Sequence, residues 1–289
     1  MKWLIGASAI WGLSFGLIKG KTGHIDPFFL SCARLLLAFL FSLVFYRPSD
    51  MPNSKRLRLA AVGALQLGFM YAPYLFSFRY LKAYEVALFT MLTPVFVAGI
   101  YVVQKKSWNS SLFFATSLAI VGGLIAAWKP LASDLGPILI GFGLVQISNL
   151  LFAFGQSLLF QDGTMGTQKS PLVGVPFYFS GAFAASLICY LVSHLIQAGP
   201  AFGGATSQDL LVIAWLGIVS SGVGFLIWNW GVIKVNVSQL AVASDIKLPI
   251  AVLISVFAFS EPANLLQLSM SLVVLTSAAV LARKSTFAK

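Results

Sequence analysis

The stretch SQLAVASDIKLPIAVLISVFAFSE, residues 238 to 261, is long and apolar enough to cross a bilayer, yet it holds Asp245, Lys247 and Pro249 near its middle. About 20 apolar residues cross the hydrocarbon core, and an ionised Asp or Lys at its centre costs about 2.5 to 3.5 kcal/mol on insertion scales. Such residues face a bundle interior or a watery cavity and mark a path for substrate, ion or proton. Pro249 lacks an amide hydrogen and frees the carbonyl four residues back, that of Asp245. A carboxylate and a free carbonyl then share one place. Two positions apart in a regular helix, Asp245 and Lys247 point about 200° from each other. They pair directly only where Pro249 distorts that turn, and otherwise each needs a partner elsewhere, with Arg34 and Glu85 as candidates.

The same design occurs earlier, in EVALFTMLTPVFVAGIYVVQK from Glu85 to Lys105, where Pro94 frees the carbonyl of Thr90. Aligning the helix-breaking Pro94 with Pro249 sets Thr90 against Asp245. Paired interrupted helices in corresponding places are a pointer to a transporter's binding site.

The composition agrees with a membrane chain. Of 289 residues 58% are hydrophobic and 9% charged, whereas soluble domains average about 25% charged. Apolar segments fall near 3–18, 28–46, 59–78, 86–103, 112–128, 137–160, 174–196, 210–232, 238–259 and 265–282. The expected fold is all-α and integral to the membrane, with ten transmembrane helices as two inverted five-helix repeats, residues 1–130 and 131–289. The polar link at 129–136 divides them, and an odd number of helices reverses the second half.

The net charge of +11 raises the question of a nucleic-acid partner, and the placement of the basic residues answers it. With both termini cytoplasmic, twelve of the nineteen Lys and Arg fall on inner segments and five on outer ones, while Arg34 and Lys247 lie within spans. That asymmetry follows the positive-inside rule, so the charge reports orientation in a cell membrane and calls for no nucleic acid. Cys32 and Cys189 lie in separate apolar spans without neighbouring ligands, so neither a disulfide nor a metal site is expected. No catalytic cluster and no phosphate-binding glycine loop stands out, and no cofactor is implied.

Candidate cavity residues come from helical spacing. Trp11 and Phe15 lie four apart on the first span. Tyr71, Tyr74 and Phe78 occupy one narrow arc of the third, beside Pro73. Gln146, Asn149 and Gln156 project within about 80° of one another on the sixth. Arg34 sits about two turns inside the outer end of the second span, where it either snorkels outward or reaches into the bundle. Its possible acidic partners are Asp26, Glu85, Asp245 and Glu261. Residues 47–58 read as a solvated connection, His24 and His194 belong to no constellation, and Phe225, Trp228 and Trp230 read as an interfacial aromatic belt.

Trp11-Gly12 followed by Ser14-Phe15, Pro27 leading to Arg34, Pro94, and Pro249 followed by Glu261 and Gln267 resemble the EamA-type drug/metabolite transporter family. The resemblance covers nearly the whole chain as two repeats. It implies ten helices, cytoplasmic termini and a central cavity between the halves, around Pro94, Pro249 and Arg34. Lys105 stands where the family commonly has an acidic residue, and Asp245 and Lys247 stand where it is mostly small or apolar.

The expected function is alternating-access transport of a small zwitterionic or cationic metabolite, amino acid or amine-like, by export or by exchange coupled to a proton or counter-substrate. The substrate-binding candidates are Asp245, Lys247, Arg34, Tyr74, Phe78, Thr90, Asn149 and Trp11. A membrane enzyme acting on lipid-linked substrates and a non-transporting scaffold are the alternatives. Oligomeric state is not legible.

Overall fold

A computed structural model describes residues 2–47, 51–105, 114, 117–118, 121–122, 125, 135–162, 172–197, 200–232, 251, 254–258, 260 and 264–287. Among them there is no strand. In lipid every backbone polar group must be satisfied within the segment, so an apolar run of this length becomes a helix. Six helices are long and apolar enough to cross a membrane: Lys2–Thr22, Pro27–Phe45, Asn53–Ser77, Leu135–Leu159, Val175–Ile196 and Ser207–Gly231. They form the first, second, third, sixth, seventh and eighth spans. A broken fourth span and the tenth, Leu265–Phe287, add shorter apolar helices. The protein is an all-α membrane protein. Most of the expected fifth and ninth spans lies outside the described residues, and so do the expected repeat boundary at 130/131 and the expected site residues Asp245, Lys247 and Pro249.

The fourth span is interrupted where Pro94 predicts. One helix runs Ala83–Thr90 and a second Thr93–Lys105, with a turn at 91–92 between them. Proline is tolerated in the first turn of a helix because its missing N–H has no intrahelical acceptor there. The carbonyl of Thr90, left without an amide partner, accepts from Thr93 Oγ1 at 2.7 Å. The third helix corrects one expectation: it begins at Asn53, so Lys55, Arg56 and Arg58 stand on it instead of in a loose connection.

Wide turns distort two spans. In the third, Ala64–Phe69 is a π-helical turn, and in the eighth, Trp215–Val223 is another. A π turn rotates the following side chains off the regular helical register. In the third span this sits beside Gln66, which is fully buried. Its Nε2 donates to Gln156 Oε1 at 3.0 Å and its Oε1 accepts from the Tyr178 hydroxyl at 2.9 Å. Three spans are thus tied at one buried point. Gly155 makes room for it, since a Cβ there would press on the Gln66 side chain. Gly63 and Gly181 let the third and seventh spans approach with backbone against backbone, at Tyr178 and Ala60 respectively.

One end of the bundle is tied by polar contacts. Asp26 caps the second span, accepting from the amides of Phe28 and Phe29 at 3.0 and 2.9 Å, and pairs with Arg79 at 3.5 Å. His24, unassigned in the sequence, contacts Asp209 at 3.1 Å, and Asp209 in turn caps Thr206. Leu139, Ile147, Leu150 and Phe154 of the sixth span and Ile188, Leu191 and Leu195 of the seventh are exposed. In a membrane that outer face meets acyl chains.

Replacing Gln66 by Leu strands the Tyr178 hydroxyl and the Gln156 amide. The expected loss is about 1–2 kcal/mol, read as a lower thermal unfolding midpoint in detergent. Adding Tyr178→Phe and Gln156→Leu should recover part of it.

Candidate functional site

Between the first, second, third, fourth, sixth and eighth spans lies a cavity of about 100 Å3. Five of the substrate-binding candidates line it, Trp11, Arg34, Tyr74, Thr90 and Asn149, and so do Phe15 and Tyr71 from the same helix faces. Phe78 does not. It packs edge-on against Tyr74 with ring centroids 5.4 Å apart and supports the wall from behind.

Arg34 decides the electrostatics. It is 1% exposed, so it reaches into the bundle and does not snorkel outward. Nε donates to Ser221 Oγ at 3.1 Å, and Nη2 lies 3.4 Å from Ser220 Oγ and 3.5 Å from the Leu216 carbonyl. The guanidinium carbon stands 4.1 Å from the centroid of the Tyr71 ring, a cation–π contact. Among the described residues Nη1 is buried and has no hydrogen-bond partner. Among the described residues no carboxylate pairs with Arg34: Asp26 caps the second span and Glu85 accepts from the Lys82 amide at 2.8 Å. Asp245 and Glu261, the other expected partners, lie outside the described residues. An arginine stays protonated at any working pH, so the cavity carries a fixed positive charge with spare donors.

The eighth span is fitted to Arg34. Serines 220 and 221 are neighbours in sequence, which a regular helix would turn about 100° apart. Inside the π turn both serve one guanidinium. Gly217 brings that turn close, because a Cβ there would stand 2.7 Å from Leu37 Cβ and 2.8 Å from the Arg34 carbonyl. The first span closes the group: Ser14 Oγ is 2.7 Å from Ser220 Oγ, and Trp11 Nε1 donates to the Ser220 carbonyl at 3.0 Å. Spacing alone did not mark these serines, since small polar residues in a membrane helix usually signal packing.

Facing them, the fourth and sixth spans build the other wall. Asn149 donates to the Phe89 carbonyl at 3.0 Å and to Gln146 Oε1 at 3.0 Å, while its Oδ1 is 2.9 Å from Thr93 Oγ1. Of the expected amide stripe only Asn149 faces this cavity. Gln146 opens on a separate apolar groove between the fourth and sixth spans. Gln156 is spent on Gln66. The expected aromatic belt is also revised, because Phe225 lines the cavity and Trp228 packs on Trp11 with centroids 5.0 Å apart, while Trp230 is exposed.

Comparison with known proteins agrees with this architecture. The model of the EamA-like transporter family matches residues 1–128. A biotin transporter of Salmonella typhimurium is 30% identical over 88% of this chain and 83% of its own length. One from Escherichia coli is 29% identical over 88% of this chain and 83% of its own. A probable biotin transporter of Pseudomonas aeruginosa is 30% identical over 93% of both chains. A crystal structure superposes with a TM-score of 0.65 over 96% of this chain and 94% of that one, at 15% identity, which shows a shared fold.

Gly217→Val should push the eighth span off Arg34. The expected result is a lower unfolding midpoint, by the equivalent of about 1–3 kcal/mol, measured on purified protein in detergent. Gly217→Ala should fall between it and the native chain.

Proposed function

The chain belongs to the EamA-like transporter family, it moves a small metabolite across a membrane, and we propose that this metabolite is a monocarboxylate, with biotin the first to test. The observation that carries this reading is Nη1 of Arg34 in the cavity wall, buried and without a hydrogen-bond partner among the described residues. A buried cation costs several kcal/mol unless paired. A carboxylate entering the cavity supplies the missing charge and accepts from Nη1. The similarity to biotin transporters over most of the chain supports the same class, since biotin ends in a carboxylate on an alkyl chain.

This replaces the expectation of an amine-like cation. The lining of the cavity contains Arg34 and no acidic residue among the described ones, so a cationic group would be repelled there. The Tyr71 and Tyr74 rings and Phe15 offer apolar faces to the body of the substrate. Alternating access by two inverted repeats, 1–130 and 131–289, with both termini cytoplasmic, is the mechanism we propose. The broken fourth span then moves as two rigid pieces about residues 91–92. Asp245 and Lys247 of the ninth span stay candidates for coupling to a proton or counter-substrate.

Uptake of labelled biotin by proteoliposomes tests the reading. Arg34→Gln should lower uptake by about tenfold or more, as loss of a charge-assisted hydrogen bond implies, and Arg34→Lys, which keeps a point charge but loses the planar fork, should fall between. Biotin methyl ester should compete poorly. Undiminished uptake by Arg34→Gln, or equal competition by the ester, would overturn it. Affinity should also drop as pH falls through the carboxylate's own range, near about 4.3 for an ordinary alkyl carboxyl, because the ligand and not Arg34 gains the proton.

A further inference from the structure

We infer that the cavity has a second pole, opposite in character to Arg34, which accepts hydrogen bonds, and that it selects carboxylates whose far end carries N–H donors, such as a cyclic urea or lactam. This deepens the carboxylate reading and rests on it for the orientation of the bound molecule.

Each side-chain donor hydrogen of Thr90, Thr93, Ser148 and Asn149, on the wall formed by the fourth and sixth spans, has an acceptor within the protein. Thr90 Oγ1 donates to the Ala87 carbonyl at 2.7 Å. Thr93 Oγ1 has one hydrogen and two acceptors in reach, the Thr90 carbonyl at 2.7 Å and Asn149 Oδ1 at 2.9 Å. Both amide hydrogens of Asn149 are committed, to the Phe89 carbonyl and to Gln146 Oε1. That pairing also fixes which way the amide points, because a backbone carbonyl can only accept. Ser148 Oγ is within reach of the carbonyls of Leu144 and Met70, at 3.0 and 3.2 Å. What remains for the cavity is lone pairs, on Thr90 Oγ1, Thr93 Oγ1 and Asn149 Oδ1.

The opposite wall is the reverse. Arg34 Nη1 has unspent hydrogens, and Ser221 Oγ already accepts from Arg34 Nε, which leaves its own hydrogen to donate. An anion at the lone-pair wall would meet the oxygens of Thr90, Thr93 and Asn149, and an N–H donor beside Nη1 would meet the charge of the guanidinium. A two-ended ligand is therefore held in one direction: carboxylate at Arg34 and Ser221, apolar body across Tyr71 and Tyr74, donor head at Thr90, Thr93 and Asn149. Biotin, with two ureido N–H groups remote from its carboxylate, has this order of groups. A site built to accept N–H rejects an analogue lacking it, because its buried polar atoms are then left unpaired.

Equilibrium binding to the purified full chain tests this, with biotin, biotin methylated on both ureido nitrogens, hexanoate and 6-ureidohexanoate as probes. The native chain should prefer biotin to its dimethyl analogue by about tenfold, and 6-ureidohexanoate to hexanoate in the same sense. Thr90→Val and Thr93→Val, which keep the branched shape, should each shrink the biotin to dimethylbiotin ratio by about threefold or more. Equal affinity of the native chain for the methylated and unmethylated forms, or a ratio unchanged in both variants, would overturn the second pole while leaving carboxylate transport standing. Preference for 6-ureidohexanoate over hexanoate with no biotin binding would sink biotin and keep the pole. Binding of no carboxylate would sink both.

Discussion

A guanidinium inside a membrane protein sets the terms for the structure around it. A guanidinium is charged, and the hydrocarbon around the bundle offers such a group neither water nor counter-ion. The protein answers with dipoles and a ring face: two serine hydroxyls, a carbonyl and the face of Tyr71. Each is weak beside a carboxylate, and together they leave Nη1 unmatched. Among the described residues the guanidinium is held in place without a carboxylate beside it.

The backbone has been adjusted for that purpose. In a regular helix two consecutive serines point about 100° apart, and in the π turn at Trp215–Val223 both reach Arg34. Gly217 then lets the turn lie against the second span at Arg34 itself. The other π turn, Ala64–Phe69, stands in the third span, the counterpart of the eighth if the two halves read from the sequence are laid over one another. There it accompanies the buried Gln66, which joins the third, sixth and seventh spans. One wide turn serves a site and the other a joint between helices.

The break in the fourth span belongs to the same logic. Interrupting a helix exposes carbonyls, and here they are answered from the side, by Thr93 at Thr90 and by Asn149 at Phe89. Satisfying them consumes the hydrogens of the polar wall, so the chemistry that closes the helix break also determines what that wall can offer a ligand. Structural repair and recognition use the same atoms.

Much was legible in the sequence. Runs of about 20 apolar residues and the sparse charge dictate a helical membrane protein, and the described spans begin and end within a few residues of those runs, the early start at Asn53 apart. Pro94 dictates a break, because a proline has no amide to donate wherever the fold puts it. Tyr74, Thr90, Asn149, Trp11 and Arg34 were marked as candidates by spacing, charge and that break, and they meet in one cavity. Three-dimensional packing decided the rest. Periodicity tells which residues share a face of a helix but not which neighbour that face meets, so Phe78 falls behind Tyr74, and Gln146 and Gln156 turn to other partners than the cavity. The serines at 220 and 221 are silent in the sequence, because small polar residues in a span read as packing and the wide turn that presents them to Arg34 leaves no mark in the spacing. The sign of the site was likewise a tertiary matter, since whether a charge in a span meets a counter-charge depends on contacts nearly 190 residues away.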